Sequence, residues 1–478
     1  MKRIASFVCI AVVSAVELPG AVRADGFDPF SIRRSVARSA AKDMIPQDAG
    51  QDPCRPPAME GPIGLLEVVE RALCNNPQTR QAWANAKAQA AQVGIEESAY
   101  LPSINAAYSI NKGSASTQVM NLPQLSYDVR TTTRDSSTNL TWTLFDFGLR
   151  AATLENARQL LSAANATQNA TLQKVFLSAA QAYYDLLSAQ AALDASKEAE
   201  RAARESFMAA DAKYKAGAGT LADKLQAQTN YAQVISNRVK ADGDLKNAQG
   251  TLAVAMGLKA NTLFLLSLDG MNSPLPDTAF VQSVDALIEE ATRRHPNLIA
   301  VRAQLKAAQA SVDAAKAEGL PSIALTGALD RNDQLGQYPR DTFTHNRSIG
   351  VQVKIPLFDG FGRSYRIQAA QAQVESRAAD VANTEQQVSL DVWKSYQALQ
   401  TETENLKATD ELLQSADQSF KVAQGRYKAG VGNILELLNA QSALASAKQQ
   451  RIQALSNWRT ARLSLAASLG QLGLWAIR

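Results

Sequence analysis

The sequence predicts an α+β membrane protein. Long antiparallel helices form an α-helical barrel, and two β-hairpins per chain add four strands to a β-barrel shared between subunits. Three observations carry this. The chain of 478 residues contains the same unit twice. Each unit holds two segments whose apolar residues alternate with period two. The rest of each unit repeats its apolar positions every seven residues, over stretches too long for a globule. Apolar residues make up 46 % of the chain and charged residues 20 %, with abundant Ala, Gln, Ser and Leu, the composition of closely packed long helices. Lys and Arg total 49 against 45 Asp and Glu; a net charge of +4 is too small a basic excess for a nucleic-acid binder.

Residues 1–24 read as a signal peptide. Lys2 and Arg3 precede a short apolar run, a Pro19-Gly20 break and a Val22-Arg23-Ala24 cleavage site. The run is too short to span a bilayer as a mature helix. No Cys follows the cleavage point closely, so no lipid-anchored N-terminus is expected. Residues 25–61 carry Arg33, Arg34, Arg38 and several prolines without periodicity, and read as a flexible periplasmic extension. Cys54 and Cys74 are the only mature cysteines; in an oxidising compartment they form one disulfide or remain two separate thiols.

The duplication shows in five ordered landmarks. Asn76-Pro77 matches His295-Pro296, and Leu101-Pro102-Ser103-Ile104 matches Leu320-Pro321-Ser322-Ile323, both at an offset of 219. Leu144-Phe145-Asp146 matches Leu357-Phe358-Asp359 at 213. Lys213-Tyr214-Lys215-Ala216-Gly217-x-Gly219 matches Arg426-Tyr427-Lys428-Ala429-Gly430-x-Gly432, and Met256-Gly257 matches Leu469-Gly470, again at 213. The offset changes once, between Ser103 and Leu144, as a tolerant surface loop would allow. The two repeats are 62–270 and 271–478.

Between the second and third landmarks the period is two. Ile104, Ala106, Tyr108 and Ile110 alternate with Ser103, Asn105, Ala107 and Ser109; Ile349, Val351 and Val353 alternate with Ser348, Gly350 and Gln352. Such alternation marks strands with one apolar face. It gives hairpins over about 103–145 and 322–358, with strands of roughly 10 residues, enough to cross a membrane when tilted. The Ser/Thr/Asn face would line a wet lumen and the Ile/Val/Leu face would meet lipid.

The remainder is helical. Val392, Leu399, Leu406, Leu413, Phe420 and Tyr427 recur every seven residues, and Ala179, Leu186, Leu193, Glu200, Phe207 and Tyr214 are their counterparts. A sustained seven-residue repeat means helices packed side by side. Long helices are expected over 147–214 and 361–427, each about 100 Å at 1.5 Å per residue. Each is matched in length by two shorter helices end to end: 77–100 with 220–258, and 296–319 with 433–470. Gly217 and Gly219 end the first long helix and suit positive φ. Four strands cannot close a useful barrel, so subunits must pool them, giving eight strands in a dimer, 12 in a trimer or 16 in a tetramer.

This layout resembles the TolC-type outer-membrane efflux and secretion proteins. The resemblance runs from about residue 62 to the C-terminal end. It rests on the duplicated plan, the Leu-Pro-Ser lead into each hairpin, the Leu-Phe-Asp exit and the two Tyr-Lys-Ala-Gly-x-Gly turns. It implies a homotrimer with a 12-stranded barrel in outer-membrane lipid and a long periplasmic α-barrel. It also implies a periplasmic membrane-fusion adaptor and an inner-membrane transporter as partners, with an exported protein or small molecule in transit. The family's gate at the periplasmic helix tips maps here onto Asp223, Tyr427, Glu436 and Asn439. One of two acidic ring positions is Glu436 and the other is Asn439, so the ring carries half the charge. Asp223 matches an Asp that holds the tip closed with a Tyr, here Tyr427, and an Arg whose position is Gly432. Adaptor contact is implied for Tyr214, Lys215, Gly217, Gly219, Lys428, Gly430 and Gly432. The bland reading of Asp223 and Glu436 is a charge favoured by a helix N-terminus.

No enzyme motif survives. Ala216-Gly217-Ala218-Gly219-Thr220 lacks the Gly-Lys-Ser/Thr of a phosphate loop. His295 and His345 have no partner at ligand spacing, so no catalytic residue, metal or cofactor is expected. The expected function is the exit duct of a tripartite export system, with type I secretion of a repeat-in-toxin protein such as an adenylate cyclase–haemolysin as the leading cargo. The alternatives are a small-molecule efflux duct and a periplasmic coiled-coil scaffold without a pore.

Overall fold

A computed structural model describes residues 28–36, 61–267, 283–336 and 340–473. The first repeat comprises α1 (Leu65–Asn75), α2 (Pro77–Ser98), β1 (Ser103–Thr117), β2 (Tyr127–Phe145), α3 (Leu149–Lys215) and α4 (Leu221–Ala255). The second comprises α5 (Val284–Arg294), α6 (Pro296–Ala317), β3 (Ser322–Leu335), β4 (Thr342–Lys354), α7 (Gly362–Lys428) and α8 (Ile434–Ser468). No helix among the described residues is long and apolar enough to cross a membrane.

The four strands form one antiparallel sheet in the order β1-β2-β3-β4. They have 15, 19, 14 and 13 residues, longer than the ten or so expected from apolar alternation. The excess lies where the outward face turns polar, so hydrophobic periodicity could not reveal it. Register puts Ser103, Thr141, Thr326 and Gly350 on one face, and Ile104, Leu140, Gly327 and Ile349 on the other. Among the described residues nothing pairs with the outer edge of β1 or of β4, and every residue of both strands is exposed. An unpaired edge of this length invites another strand.

Each hairpin is locked to its long helix by the exit aspartate. The Asp146 carboxylate accepts from the Gly148 and Arg150 amides and from Arg150 Nε at 2.7 Å. Arg150 Nη1 in turn donates to the Thr143 carbonyl at 2.7 Å. Asp359 likewise accepts from the Arg363 amide and from Arg366 Nη2, both at 2.9 Å. The cap that starts a 67-residue helix therefore also fixes the strand above it.

At 67 residues, α3 and α7 each extend about 100 Å. The shorter helices stack end to end beside them. Asn76 caps α2, and its Nδ2 also donates to the Ala255 carbonyl at the end of α4. Gly257 lies so close to Asn75 that a Cβ there would sit 2.7 Å from its carbonyl carbon. The second repeat makes the same joint, with Gly470 against His295 and Pro296. The landmark pairs that revealed the duplication thus meet in space. The sequence reading did not anticipate α1 and α5, which fill each joint. Val68, Val69, Ala72 and Leu73 of α1 pack with Phe176, Leu186, Leu252 and Met256 in the largest core cluster.

Laterally, α3 sits between α2/α4 and α6/α8, and α7 lies beyond α6/α8. Asn156 Nδ2 on α3 donates to the Ala307 carbonyl on α6 at 2.7 Å, and Arg302 on α6 pairs with Glu385 on α7 at 2.7 Å. Buried residues consequently run the length of α3, while α7 has few. The helical layer is open along the same two sides as the sheet.

Residues 28–36 correct the expectation of a flexible extension in that stretch. Val36 is buried with Ala86, Ala90, Val93, Leu154, Ala157 and Leu161. Ile32 sits against Gly94, and Asn165 Nδ2 donates to the Ser35 carbonyl at 3.1 Å. Small side chains on α2 make this groove, which no periodicity within the segment itself could announce. Cys74 is disulfide-bonded, whereas Cys9, Cys54 and the expected signal peptide lie outside the described residues.

Candidate functional site at the helix tips

Both long helices end in a short turn at the pole opposite the sheet. In each, the fourth residue of the Tyr-Lys-Ala-Gly motif has positive φ, 72° at Gly217 and 79° at Gly430. The second glycine works differently from the expectation, because neither Gly219 nor Gly432 has positive φ. A Cβ at Gly219 would lie 3.1 Å from Lys213 Cβ, and one at Gly432 would lie 3.0 Å from Arg426 Cβ. These glycines permit close passage of the chain over the helix end.

The return helices begin with caps. Thr220 and Asp223 form a capping box: the Asp223 amide donates to Thr220 Oγ1 at 3.1 Å, and the Thr220 amide donates to Asp223 Oδ2 at 3.2 Å. At the second tip Asn433 Oδ1 accepts from the Glu436 amide at 2.7 Å. Asp223 and Glu436 thus both stand in the first helical turn, where the backbone dipole favours a carboxylate.

The two tips meet around Tyr427. Its ring is buried with Ala210, Ala227, Ile434, Leu437 and Leu438, flanked by Phe207 and Phe420. Lys213 of the first repeat places Nζ 3.8 Å from the centre of that ring and donates to the Tyr427 carbonyl at 2.8 Å. Burial raises the Tyr427 phenol pKa, and the nearby Asp223 charge raises it further. A neutral phenol in an apolar cluster with a cation on its face is a stable inter-repeat clasp. Gly432 adds no side chain to this contact, and its cation comes from Lys213 of the other repeat.

Glu436 is not a bare ring charge: Arg426 Nε approaches its Oε1 at 3.1 Å. Asn439 is exposed, as are Tyr214, Lys215 and Lys428. Lys215 and Lys224 both pair with Asp211 at 2.7 Å, tying α3 to α4. Those lysine hydrogen bonds hold the Asp211 carboxyl below its ordinary pKa. Lys213, Arg426 and Asp211 escaped the sequence reading of the site. The first two open the repeated motif at matching positions, which was a visible signal, but their partners are set by packing between repeats.

The arrangement offers no nucleophile or acid–base pair. It offers two helical hairpins, each braced by its own ion pairs and joined to the other by one aromatic clasp.

A family model described as outer membrane efflux protein matches residues 68–258 and 287–471. Protein CyaE of Bordetella pertussis is 32 % identical over 423 residues, covering 88 % of this chain and 87 % of that protein. Outer membrane protein TolC of Escherichia coli is 23 % identical over 422 residues, covering 85 % and 82 %. The crystal structure of the Campylobacter jejuni CmeC outer membrane channel shares the fold with a TM-score of 0.71 at 19 % identity, covering 86 % of each chain.

Proposed function

This chain belongs to the outer membrane efflux protein family, and from that membership we propose that it is the trimeric exit duct of a tripartite export system. One observation carries the reading. A four-stranded sheet with one apolar face and two unpartnered edges tops a helical layer about 100 Å long that is open along the same sides. Three copies join β4 of one to β1 of the next, close 12 strands in the outer membrane and leave no edge. The helices carry the bore through the periplasm. A periplasmic adaptor grips the tips at Tyr214, Lys215, Gly217, Gly219, Lys428, Gly430 and Gly432, and links the duct to an inner-membrane transporter.

The tips form the gate. Lys213 and Tyr427 hold the two repeats together beside Asp223, which caps its own return helix, and Glu436 with Asn439 lines the constriction. Because Arg426 partly neutralises Glu436, cation preference in the closed pore is modest, and Glu436→Gln lowers it further.

The cargo we infer is a protein in unfolded form, passed by type I secretion. Support comes from the strand face that would line the bore, made mostly of hydroxyl, amide and small side chains with Asp135 and Asp330 among them, a hydrated wall suited to an extended polypeptide. Small-molecule efflux is the second reading, favoured by the description of the family itself. Reconstituted protein should run as a heat-resistant oligomer and conduct ions across planar bilayers. A monomer released by osmotic shock, without conductance, refutes the duct and favours the scaffold. Deleting the gene and assaying culture supernatant for a missing protein, against drug sensitivity, separates the two cargoes.

A further inference from the structure

The register sorts charge onto the two faces of the sheet. The face containing Ile104, Leu140, Leu325 and Val351 is the lipid face. Followed away from the helices, each strand's apolar run on that face gives way to a cation. On β1 the run Ile104, Ala106, Tyr108, Ile110 is followed by Lys112. On β2, Trp142 and Leu140 lead through Thr138 and Ser136 to Arg134. On β3, Ile323, Leu325, Gly327 and Leu329 lead to Arg331, and on β4, Val353, Val351 and Ile349 lead to Arg347. All four cations are exposed. Arg130 lies farther along the same face. Its acids are Asp128 and Asp333, the latter paired with Arg331 at 2.9 Å. The charges of the opposite face are Asp135, Asp330 and, at the helix end, Lys354. The outer half of the barrel is thus basic outside and acidic inside.

The height of this belt suits a headgroup layer. Phe145 and Phe147 form an exposed edge-to-face pair at the helix end of β2, with ring centres 4.7 Å apart. Aromatic residues of this kind mark a membrane interface. Arg134 lies eleven residues farther along β2. That is about 37 Å of strand, or about 28 Å of height at a 40° tilt, close to the apolar band of an outer-membrane barrel. A cation at that level needs an anion, and guanidinium matches phosphate in geometry as well as charge.

We propose that Lys112, Arg134, Arg331 and Arg347 form a belt that binds the phosphate groups of phosphorylated glycolipid in the outer leaflet. Resting on the barrel reading, this names the lipid class the barrel selects. Arg331 is already held by Asp333, and the register sets that carboxylate opposite Arg134 as well, so Lys112 and Arg347 carry most of the contact.

The test is lipid binding by the purified oligomer in mild detergent, read by native mass spectrometry. The probes are lipid A, dephosphorylated lipid A and phosphatidylglycerol. Retention of lipid A at least about tenfold above the other two is expected. The variant Lys112→Gln/Arg134→Gln/Arg347→Gln should lose that margin, while Asp135→Asn/Asp330→Asn on the opposite face should keep it. Equal retention of lipid A and its dephosphorylated form by the parent overturns the proposal without any variant, as does equal retention of phosphatidylglycerol. Ion conductance of the parent, measured in parallel, reports the barrel separately, so a conducting protein indifferent to phosphate sinks the belt alone.

Discussion

Replacing Lys213 with Met should loosen the tip. The change keeps a long apolar stem and removes only the ammonium. Two contacts go: the 2.8 Å hydrogen bond to the Tyr427 carbonyl and the 3.8 Å approach to its ring. A hydrogen bond from a charged donor contributes about 1.5–3 kcal/mol, and an exposed cation–π contact about 0.5–1 kcal/mol. The lysine regains hydration when the tip opens, and the two terms share one side chain. A net of about 1 kcal/mol per protomer is the sensible figure. If three tips open in concert, the loss is about 3 kcal/mol and the open-to-closed ratio rises about 100-fold. If each opens alone, the rise is about fivefold per tip. Single-channel recording in planar bilayers gives the open probability directly, with heat-resistant oligomer as the control for assembly. An intact oligomer whose open probability is unchanged would refute the claim that this clasp holds the tip closed.

Three further predictions follow from the joints. His295 is kept neutral by burial, which lowers its pKa against a weaker opposing pull from Asp391, and its Nδ1 accepts from the Asn297 amide at 3.2 Å. Its contribution is therefore complete above about pH 6.5, the unfolded value, and is lost as pH falls from there toward the lowered folded value. His295→Asn, the residue at the matching position of the first repeat, should flatten that slope in melts taken between about pH 7.5 and 5. Gly470→Ala meets both a φ of 70° and a Cβ position 2.8 Å from Pro296 Cδ. It should cost more stability, about 2–3 kcal/mol, than Gly148→Ala, where φ is 99° but nothing lies within 4 Å and about 1 kcal/mol is expected. Equal melting shifts for the two would refute the close-approach argument. Gly94→Leu should push Ile32 off α2 and speed tryptic cleavage at Arg33 and Arg34 by about tenfold or more; an unchanged rate would show that Gly94 does not seat the segment.

Local periodicity by itself determined the kinds of the principal elements and the lengths of the two long helices, though not the full reach of the strands. A period of two has only one structural meaning, and so has a seven-residue repeat sustained over 67 residues. The matched landmarks also disclosed the duplication, and with it the two joints. What escaped is non-local. The 11-residue helices α1 and α5 have no long repeat of their own and acquire their place from the gap they fill. Residues 28–36 look formless until Ala86, Ala90 and Gly94 supply a groove. The Lys213–Tyr427 clasp joins residues 214 positions apart. The cationic belt needs the strand register before Lys112, Arg134, Arg331 and Arg347 fall on one face. A chain writes its own periodicity residue by residue, but which surfaces touch depends on where small side chains let backbones approach, and only the folded arrangement decides that.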